Sequence, residues 1–525
     1  MAQSIPQSSP SMVDRGLAAL LAHSPVGLDS LLLMATLFPM TANWDGYRLS
    51  YSRVLPIEAI AIFAEVAYLL GATYIILDYF GRTRDTTRAR QVVFGLLVVN
   101  LVVAPMVTSM VTRHVTGQTE RWVHDTPLQM EAAVDALLHG RNPYATDYVD
   151  TPLARWPYYN GPMWSSHWQE AAPPEARVNP AIYHVAYLPF TMLVAVPVQL
   201  LSMATLGWYD GRWTNLLAYL FTLWLLTRLV RQPVHRLALL VLVGLNPLLV
   251  PFVVEGRNDI LVFSLFLAAV VAWHQKRSLA SAVWLGLALA TKHVAALFLP
   301  FYLLLLWREC APQPKPLVAL ARRLLPTVVT ALALILPFFV WDWRAFLDDT
   351  LGYISGALPT SYPLSGMGLG GIAVVLGWVP NAAAPFPSTL LQALFGGPLL
   401  VALLRQQWRF NTLRHALGAY AVFMFVFLWL ARYFFDSYLG VILLVLGLAV
   451  LWPTEDTCAW PPFQVSYLGP DVALDDTVPG KEETCETIRP TVDAADPDPG
   501  GRAVRWAAGS RAHDRADSGP GPQAH

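Results

Sequence analysis

Apolar stretches of about 20 residues recur along most of this sequence, and they constrain the possible fold more than any other feature. We place them at residues 17–40, 55–80, 91–112, 212–230, 236–254, 259–274, 279–291, 293–307, 322–341, 386–404, 415–431 and 436–452. A helix of about 20 apolar residues crosses the hydrocarbon core of a bilayer. Only 14% of the 525 residues are charged, against about 25% in soluble proteins. The sequence therefore predicts an all-α fold, a polytopic transmembrane helical bundle of about 12 spans.

Three regions follow from this pattern. Residues 1–16 are expected to form a cytoplasmic N-terminal segment, and residues 17–452 the transmembrane domain. Residues 453–525 are rich in Pro, Asp, Gly and Thr and have little aliphatic content after Leu474. Such a composition cannot bury enough apolar surface to fold, so we expect a disordered cytoplasmic tail.

Basic residues set the expected orientation, because short loops rich in Lys and Arg stay in the cytoplasm. Five such loops lie at residues 82–90, 228–236, 276–277, 308–323 and 405–414. Placing all of them inside gives a multi-pass cell-membrane protein whose two termini are cytoplasmic. The extracytoplasmic segments are then residues 41–54, 113–211, 255–258, the turn at Lys292, 342–385 and 432–435.

Two further segments are predicted not to span. Residues 182–206 are apolar enough to cross, but a crossing would move the basic residues 228–236 outside. We therefore expect a re-entrant or interfacial segment, broken at Pro189 and Pro197; a true crossing is the alternative. Residues 366–379 open with the glycine-rich run Gly366–Gly371 and are expected to form a short insert.

The long outer loop, residues 113–181, is the first candidate for chemistry, because loops longer than about 12–15 residues are usually functional or disordered. Leu128, Ala132 and Leu137 recur at helical spacing and Gly140 follows as a stop signal, which predicts an amphipathic surface helix. Asp125 stands just before this helix. It is either the N-cap of the helix or a catalytic carboxylate.

Polar residues at membrane depth are the second candidate, since charges there are paired or functional. The turn with Arg257, Asn258 and Asp259 joins two spans, and Lys292 and His293 join two others. One interpretation is a simple outer turn with an ion pair between Asp259 and Lys292. The other is a binding site in which Lys292 and Arg257 hold a phosphate and Asn258 and Asp259 hold hydroxyl groups.

The other predicted substrate-binding residues have structural alternatives, except for Tyr187. They are Glu131, Tyr144, His184, Tyr187 and Arg432. Glu131 fits a solvated helix face, Tyr144 follows a turn-forming sequence, and a lone His is more often structural. Arg432 fits an aromatic belt in which its side chain reaches out to the interface.

Other classes of function lack their sequence signals. There is no P-loop, no GxSxG motif and no HExxH motif, and the three cysteines form no CxxC pair. No ligand set with metal-binding spacing appears, so we predict no metal site and no cofactor, while divalent-metal assistance is left open. The net charge of −1 argues against nucleic acid as a partner.

The order of these motifs resembles the GT-C class of integral-membrane glycosyltransferases, and more closely the bacterial polyprenol-phosphate-mannose-dependent mannosyltransferases. The matching pieces are His124-Asp125, the helix that ends in Leu138–Tyr144, Tyr187-Leu188-Pro189, Gly256–Asp259 and Leu285–Lys292. The resemblance covers about residues 90–450 and implies a GT-C-like fold.

This resemblance implies a polyprenyl-phosphate sugar as donor, mannose most readily, with transfer to an extracytoplasmic lipid or glycan acceptor of the cell envelope. Asp125 is then the general base, Lys292 and Arg257 stabilise the leaving phosphate, and the polyprenyl tail lies between helices in contact with membrane lipid. Enzymes of this kind often invert the anomeric carbon in a single displacement. The alternatives are a lipid-linked saccharide flippase and a scaffold that acts through the tail.

Overall fold

The computed structural model of the protein describes residues 24–41, 55–81, 84–156, 179–230 and 233–452. The predicted N-terminal segment 1–16 and the predicted tail 453–525 lie outside the described residues. So do the first part of the 17–40 span and most of the predicted outer segment 41–54.

Most of the described chain is helical. In order, the helices are α1 (Leu28–Thr41), α2 (Ile57–Phe80), α3 (Thr87–Thr116), α4 (Asp125–Leu138), α5 (Phe190–Leu206), α6 (Arg212–Leu229), α7 (Pro233–Gly244), α8 (Val250–Glu255), α9 (Asp259–His274), α10 (Ser278–Leu289), α11 (His293–Cys310), α12 (Pro316–Trp341), α13 (Trp343–Leu347), α14 (Leu369–Val375), α15 (Ser388–Phe410), α16 (Leu413–Trp429) and α17 (Asp436–Leu451). Two-residue strands, β1 (Ser365–Gly366) and β2 (Tyr433–Phe434), pair in parallel.

The polytopic all-α prediction is confirmed. Within the described residues, five helices are long and apolar enough to cross a membrane: α2, α3, α11, α12 and α15. The shorter apolar helices include α9, α16 and α17, and their bounds follow the predicted apolar stretches closely.

One predicted span is wrong as a continuous helix. The stretch 236–254 is divided into α7 and α8, with a turn between Gly244 and Val250. The side chain of Asn246 accepts a hydrogen bond from the N–H of Leu248 at 2.8 Å, and Pro247 has no N–H to continue the helix. The short helix α8 then ends beside the candidate site.

The two segments predicted not to span are irregular. Helix α5 begins after Pro189 and is interrupted at Val194, three residues before Pro197, whose ring would crowd the preceding turn. Its re-entrant course stays a prediction. In the glycine-rich segment, α14 has seven residues, about 10 Å, which is too short to span, so the prediction of a short insert is confirmed.

Helix α9 is the centre of the bundle. All but the last of its residues are buried, and it packs against α6, α10 and α17. A helix that is apolar on every side belongs in such an interior position. Its first residue, Asp259, therefore stands at one end of the bundle core. A second, smaller apolar cluster is built mainly on α4 and α5.

Candidate active site

A cavity of about 1150 Å³ lies where segments far apart in the sequence meet. Most of the predicted site residues line it, and they are Asp125, Tyr187, Arg257, Asn258, Asp259, Lys292, His293 and Arg432. The structure therefore brings the carboxylate of the long loop into one space with the cations of three separate turns.

Three predicted site residues lie outside the cavity lining, and Glu131 is the first. Its carboxylate accepts two hydrogen bonds from the guanidinium of Arg113, at 2.8 and 2.7 Å, and a third from the N–H of Gly211 at 2.8 Å. Glu131 thus ties α4 to α3 and to the start of α6, whereas a solvated helix face was the expected alternative.

Tyr144 and His184 lie behind the cavity wall. The hydroxyl of Tyr144 donates to the carbonyl of Tyr187 at 2.8 Å. Nδ1 of His184 lies 2.7 Å from Asp349 and its Nε2 lies 2.6 Å from the hydroxyl of Thr360. Burial raises the pKa of Asp349 to about 6, although the hydrogen bond from His184 opposes this. Both residues therefore support the wall segment that carries Tyr187.

Asp125 is the first residue of α4 and is not its cap. The cap is His124, whose Nδ1 lies 3.3 Å from the N–H of Thr126, so the N-cap alternative for Asp125 is wrong. The same Nδ1 lies 2.7 Å from Oδ1 of Asp125, so this one nitrogen contacts both the start of the helix and the carboxylate. Nδ2 of Asn179 donates to Oδ2 of Asp125 at 3.2 Å.

The protonation state of Asp125 follows from these neighbours. Burial raises the pKa of Asp125, but His124, the hydrogen bond from Asn179 and the charge of Arg257 together hold it below its ordinary value. The carboxylate is therefore ionised at neutral pH and accepts further hydrogen bonds.

The turn after α8 presents Arg257 and Asn258. Nε of Arg257 donates to Glu255 at 3.2 Å, its Nη1 donates to Asp436 at 3.3 Å, and its guanidinium lies over the ring of Phe252 at 4.4 Å. Arg257 is thus neutralised by two carboxylates. Nδ2 of Asn258 is buried and has no hydrogen-bond partner among the described residues.

Lys292 forms an ion pair with Asp259, as one of the two interpretations of this turn predicted. Its ammonium group also lies 5.0 Å from the ring centre of Tyr438 and 5.6 Å from that of Tyr187. Since Lys292 lines the cavity as well, the ion pair and contact with a ligand are compatible.

Arg432 is buried, with 3% of its surface exposed. The alternative in which its side chain reaches out to the membrane interface is therefore wrong. Its Nε donates to the carbonyl of Tyr362 at 3.1 Å and its Nη1 to that of Ala384 at 3.4 Å. Arg432 is therefore held in the cavity wall by backbone groups.

A buried charge network holds the backbone segment that precedes Asp125. Arg212 is fully buried and donates twice to Asp210, at 2.8 Å each, and through Nη1 to the carbonyl of Trp122 at 2.7 Å. Trp122 has a positive φ of 62°, which is unusual for a bulky side chain. The backbone just before Asp125 is thus held in a strained form by Arg212.

The Asp125 loop and the Arg257 turn also touch directly. The N–H of His124 donates to the carbonyl of Glu255 at 3.0 Å. Gly256 has a φ of 108°, and a Cβ built there would lie 2.2 Å from Cγ of Pro127. Only glycine permits this approach.

Apolar side chains of α9, α11, α16 and α17 also line the cavity, and we call this part of its lining the apolar lobe. Its residues are Val262, Val294, Leu297, Met424, Phe427, Leu428 and Val441. Tyr362, Tyr433 and Tyr438 complete the polar wall and were not among the predicted site residues. Asp436 was not among them either, although an acid at the start of an apolar span is a signal for a paired or functional charge. No group of three or more His, Cys, Asp or Glu residues in the described part of the chain could hold a metal ion.

Comparison with known protein families gives a match. The sequence model of glycosyltransferase family 87 matches residues 185–432, a range that includes Tyr187, Arg257, Lys292 and Arg432 and leaves Asp125 outside. Comparisons with curated proteins and with solved structures give no match.

Proposed function

Because the model of glycosyltransferase family 87 matches residues 185–432 of this membrane protein, we propose that the chain is of the GT-C type and transfers a sugar, mannose first of all, from a polyprenyl-phosphate donor to an extracytoplasmic lipid or glycan acceptor. One observation carries this proposal. A single cavity combines an ionised carboxylate, several cations and an apolar lobe, which are the groups that an acceptor hydroxyl, a phosphate and a polyprenyl chain require.

Asp125 is the general base in this proposal. The acceptor hydroxyl attacks the anomeric carbon, a new C–O bond forms, and the bond from that carbon to the phosphate oxygen breaks. The hydroxyl proton passes to the carboxylate of Asp125, which His124 and Asn179 hold in place. The lipid phosphate leaves with the electron pair and is stable as an anion, so no acid catalyst is needed.

The cations and the polar residues around them hold the donor. Lys292 and Arg257 donate hydrogen bonds to the phosphate oxygens, although each is also paired with a carboxylate. The unpartnered amide of Asn258 and the carboxylate of Asp259 are suited to sugar hydroxyls. The apolar lobe takes the first units of the polyprenyl chain, since it is lined by aliphatic and aromatic side chains.

The extracytoplasmic location is part of the proposal and rests on the distribution of basic loops. The cavity is lined from segments that this rule assigns to the outer side, namely the 113–211 loop, the Arg257 turn, the Lys292 turn, the 342–385 segment and the Arg432 turn. The flippase alternative is set aside because the chain is an enzyme.

A donor comparison tests the proposal. In liposomes that contain the purified protein, we expect sugar transfer from mannosyl-phosphoryl polyprenol and none from the nucleotide sugar GDP-mannose, because no nucleotide-binding motif is present. Glucosyl-phosphoryl polyprenol measures the sugar preference. Transfer from the nucleotide sugar, or no transfer from any polyprenyl-phosphate sugar, contradicts the proposal.

A further inference from the structure

The glycine-rich run Gly366–Gly371 packs against the backbone that carries Arg432. The N–H of Ser365 donates to the carbonyl of Arg432 at 3.2 Å, and the N–H of Met367 donates to that of Phe434 at 2.8 Å. A Cβ on Gly366 would lie 2.1 Å from the carbonyl oxygen of Phe434, and one on Gly370 would lie 2.5 Å from that of Arg432. The run is glycine-rich because side chains would collide with this strand.

A further glycine lies against the guanidinium itself. Gly356 has a φ of 88°, and a Cβ there would lie 2.5 Å from Nη1 of Arg432. Together with the carbonyl groups of Tyr362 and Ala384, it fixes the plane and position of the guanidinium. The 356–384 segment is thus built around one buried arginine in the cavity wall.

The charge of Arg432 differs from that of the other two cations. Arg257 is paired with Glu255 and Asp436, and Lys292 is paired with Asp259. Arg432 donates to two carbonyl oxygens and to no carboxylate of the described residues. Burial lowers the pKa of Arg432, which shows the cost of keeping its charge away from water.

We propose that Arg432 is the primary anion-binding residue of the cavity and that it contacts the phosphate of a prenyl phosphate directly. This identification of the anion rests on the proposed function. Its basis is that Arg432 lines the cavity and that its buried guanidinium has no carboxylate partner among the described residues, whereas the cations at residues 257 and 292 are already neutralised. A guanidinium fork binds phosphate through two parallel hydrogen bonds.

The contact strengthens during the reaction. The donor phosphate is a diester with one negative charge, and the departing prenyl phosphate carries more charge. An unneutralised cation that faces the phosphate therefore stabilises the transition state more than the bound donor. Substitution of Arg432 is expected to lower kcat as well as raise the donor KM.

Ligand binding to the purified protein tests this assignment without a transfer assay. Farnesyl phosphate, farnesol and inorganic phosphate are titrated, with thermal stabilisation and isothermal calorimetry as readouts. For the wild type we expect stabilisation by farnesyl phosphate and much less by farnesol. Arg432→Met should weaken farnesyl phosphate binding about 10- to 100-fold, the worth of a charge-assisted hydrogen bond. Stabilisation by inorganic phosphate that is lost in Arg432→Met also supports the assignment.

Two variants keep the test decisive. Arg344→Met is the matched control, because Arg344 is exposed in the 342–385 segment that packs against Arg432 and does not line the cavity. It should bind farnesyl phosphate like the wild type. If Arg432→Met does not fold, Arg432→Lys is measured instead. We expect it to bind farnesyl phosphate about tenfold more weakly than the wild type and to keep the preference for farnesyl phosphate over farnesol.

The assignment is overturned if the Arg432 variants bind farnesyl phosphate as tightly as the wild type, or if farnesol binds as well as farnesyl phosphate. Its failure is separable from failure of the proposed function. Sugar transfer by the wild type together with unchanged binding in Arg432→Met removes only the role of Arg432. If farnesyl phosphate binding depends on Arg432 but no sugar is transferred, only the proposed sugar-transfer function is contradicted.

Discussion

Replacement of Asp125 by Asn is expected to lower the rate of sugar transfer by about 10²- to 10⁴-fold, the usual worth of a general base. An amide has nearly the same shape as the carboxylate but cannot take the proton of the acceptor hydroxyl. Asp125 is not the cap of α4, since His124 has that role, so the helix should remain intact. The donor KM should stay close to the wild-type value because the cations are unchanged.

The measurement is the steady-state rate of transfer from a polyprenyl-phosphate sugar in liposomes, with folding followed by thermal denaturation. Asp135→Asn is the matched control, because Asp135 lies on an exposed part of the same helix and outside the cavity lining. It should transfer sugar like the wild type. Full activity of Asp125→Asn would remove this residue from the reaction.

Replacement of Arg212 by Met is expected to lower the free energy of unfolding by about 3–5 kcal/mol, as is typical when one member of a buried ion pair is removed. Asp210 loses two of its hydrogen bonds, and the hydroxyl of Ser109 and the carbonyl of Trp122 lose their buried donor. Because the strained backbone at Trp122 leads directly into Asp125, transfer should also slow.

Denaturation by SDS in mixed micelles measures this loss. Arg228→Met is the control, since Arg228 is exposed at the other end of the same helix and contacts only the ring of Trp224 among the described aromatic residues. Its free energy of unfolding should change by less than about 1 kcal/mol. A similar loss in both variants would show that Arg212 has no special role.

The helices could be predicted from the sequence because bilayer thickness and apolar length leave little freedom. The predicted stretch 259–274 is a helix with those bounds, and α4 ends before Gly140, which has a φ of 72°. The break at Asn246 was missed, since it depends on a local side-chain hydrogen bond that hydropathy does not register. The sequence also did not predict that His124, and not Asp125, caps α4, because that too depends on a local side-chain hydrogen bond.

The candidate site could be predicted only in part. Charges at membrane depth are costly, and that rule singled out Arg257, Asp259 and Lys292. Their partners could not all be inferred, because Arg257 and Asp436 are 179 positions apart and meet only through the packing of α9 against α17. The three tyrosines that complete the wall were not among the predicted site residues, since aromatic residues are common throughout a membrane protein.

The glycine-rich segment shows more clearly that contacts between distant residues cannot be inferred from the sequence. Its composition predicted a short insert, which is confirmed, but not the reason for the glycines. That reason is the pairing of β1 with β2, which brings the backbone of Gly366 against Phe434 and places Arg432 in the cavity wall. Parallel pairing of residues so far apart follows from the tertiary fold alone.

The stereochemistry of transfer tests most directly the claim that a single carboxylate, Asp125, promotes one displacement at the anomeric carbon. A polyprenyl-phosphate donor of β configuration is supplied, and the one-bond coupling constant between the anomeric carbon and its hydrogen in the product is read by NMR. The account predicts an α-linked product, because one displacement inverts the carbon. A β-linked product would contradict it, since retention requires a second displacement through an enzyme nucleophile.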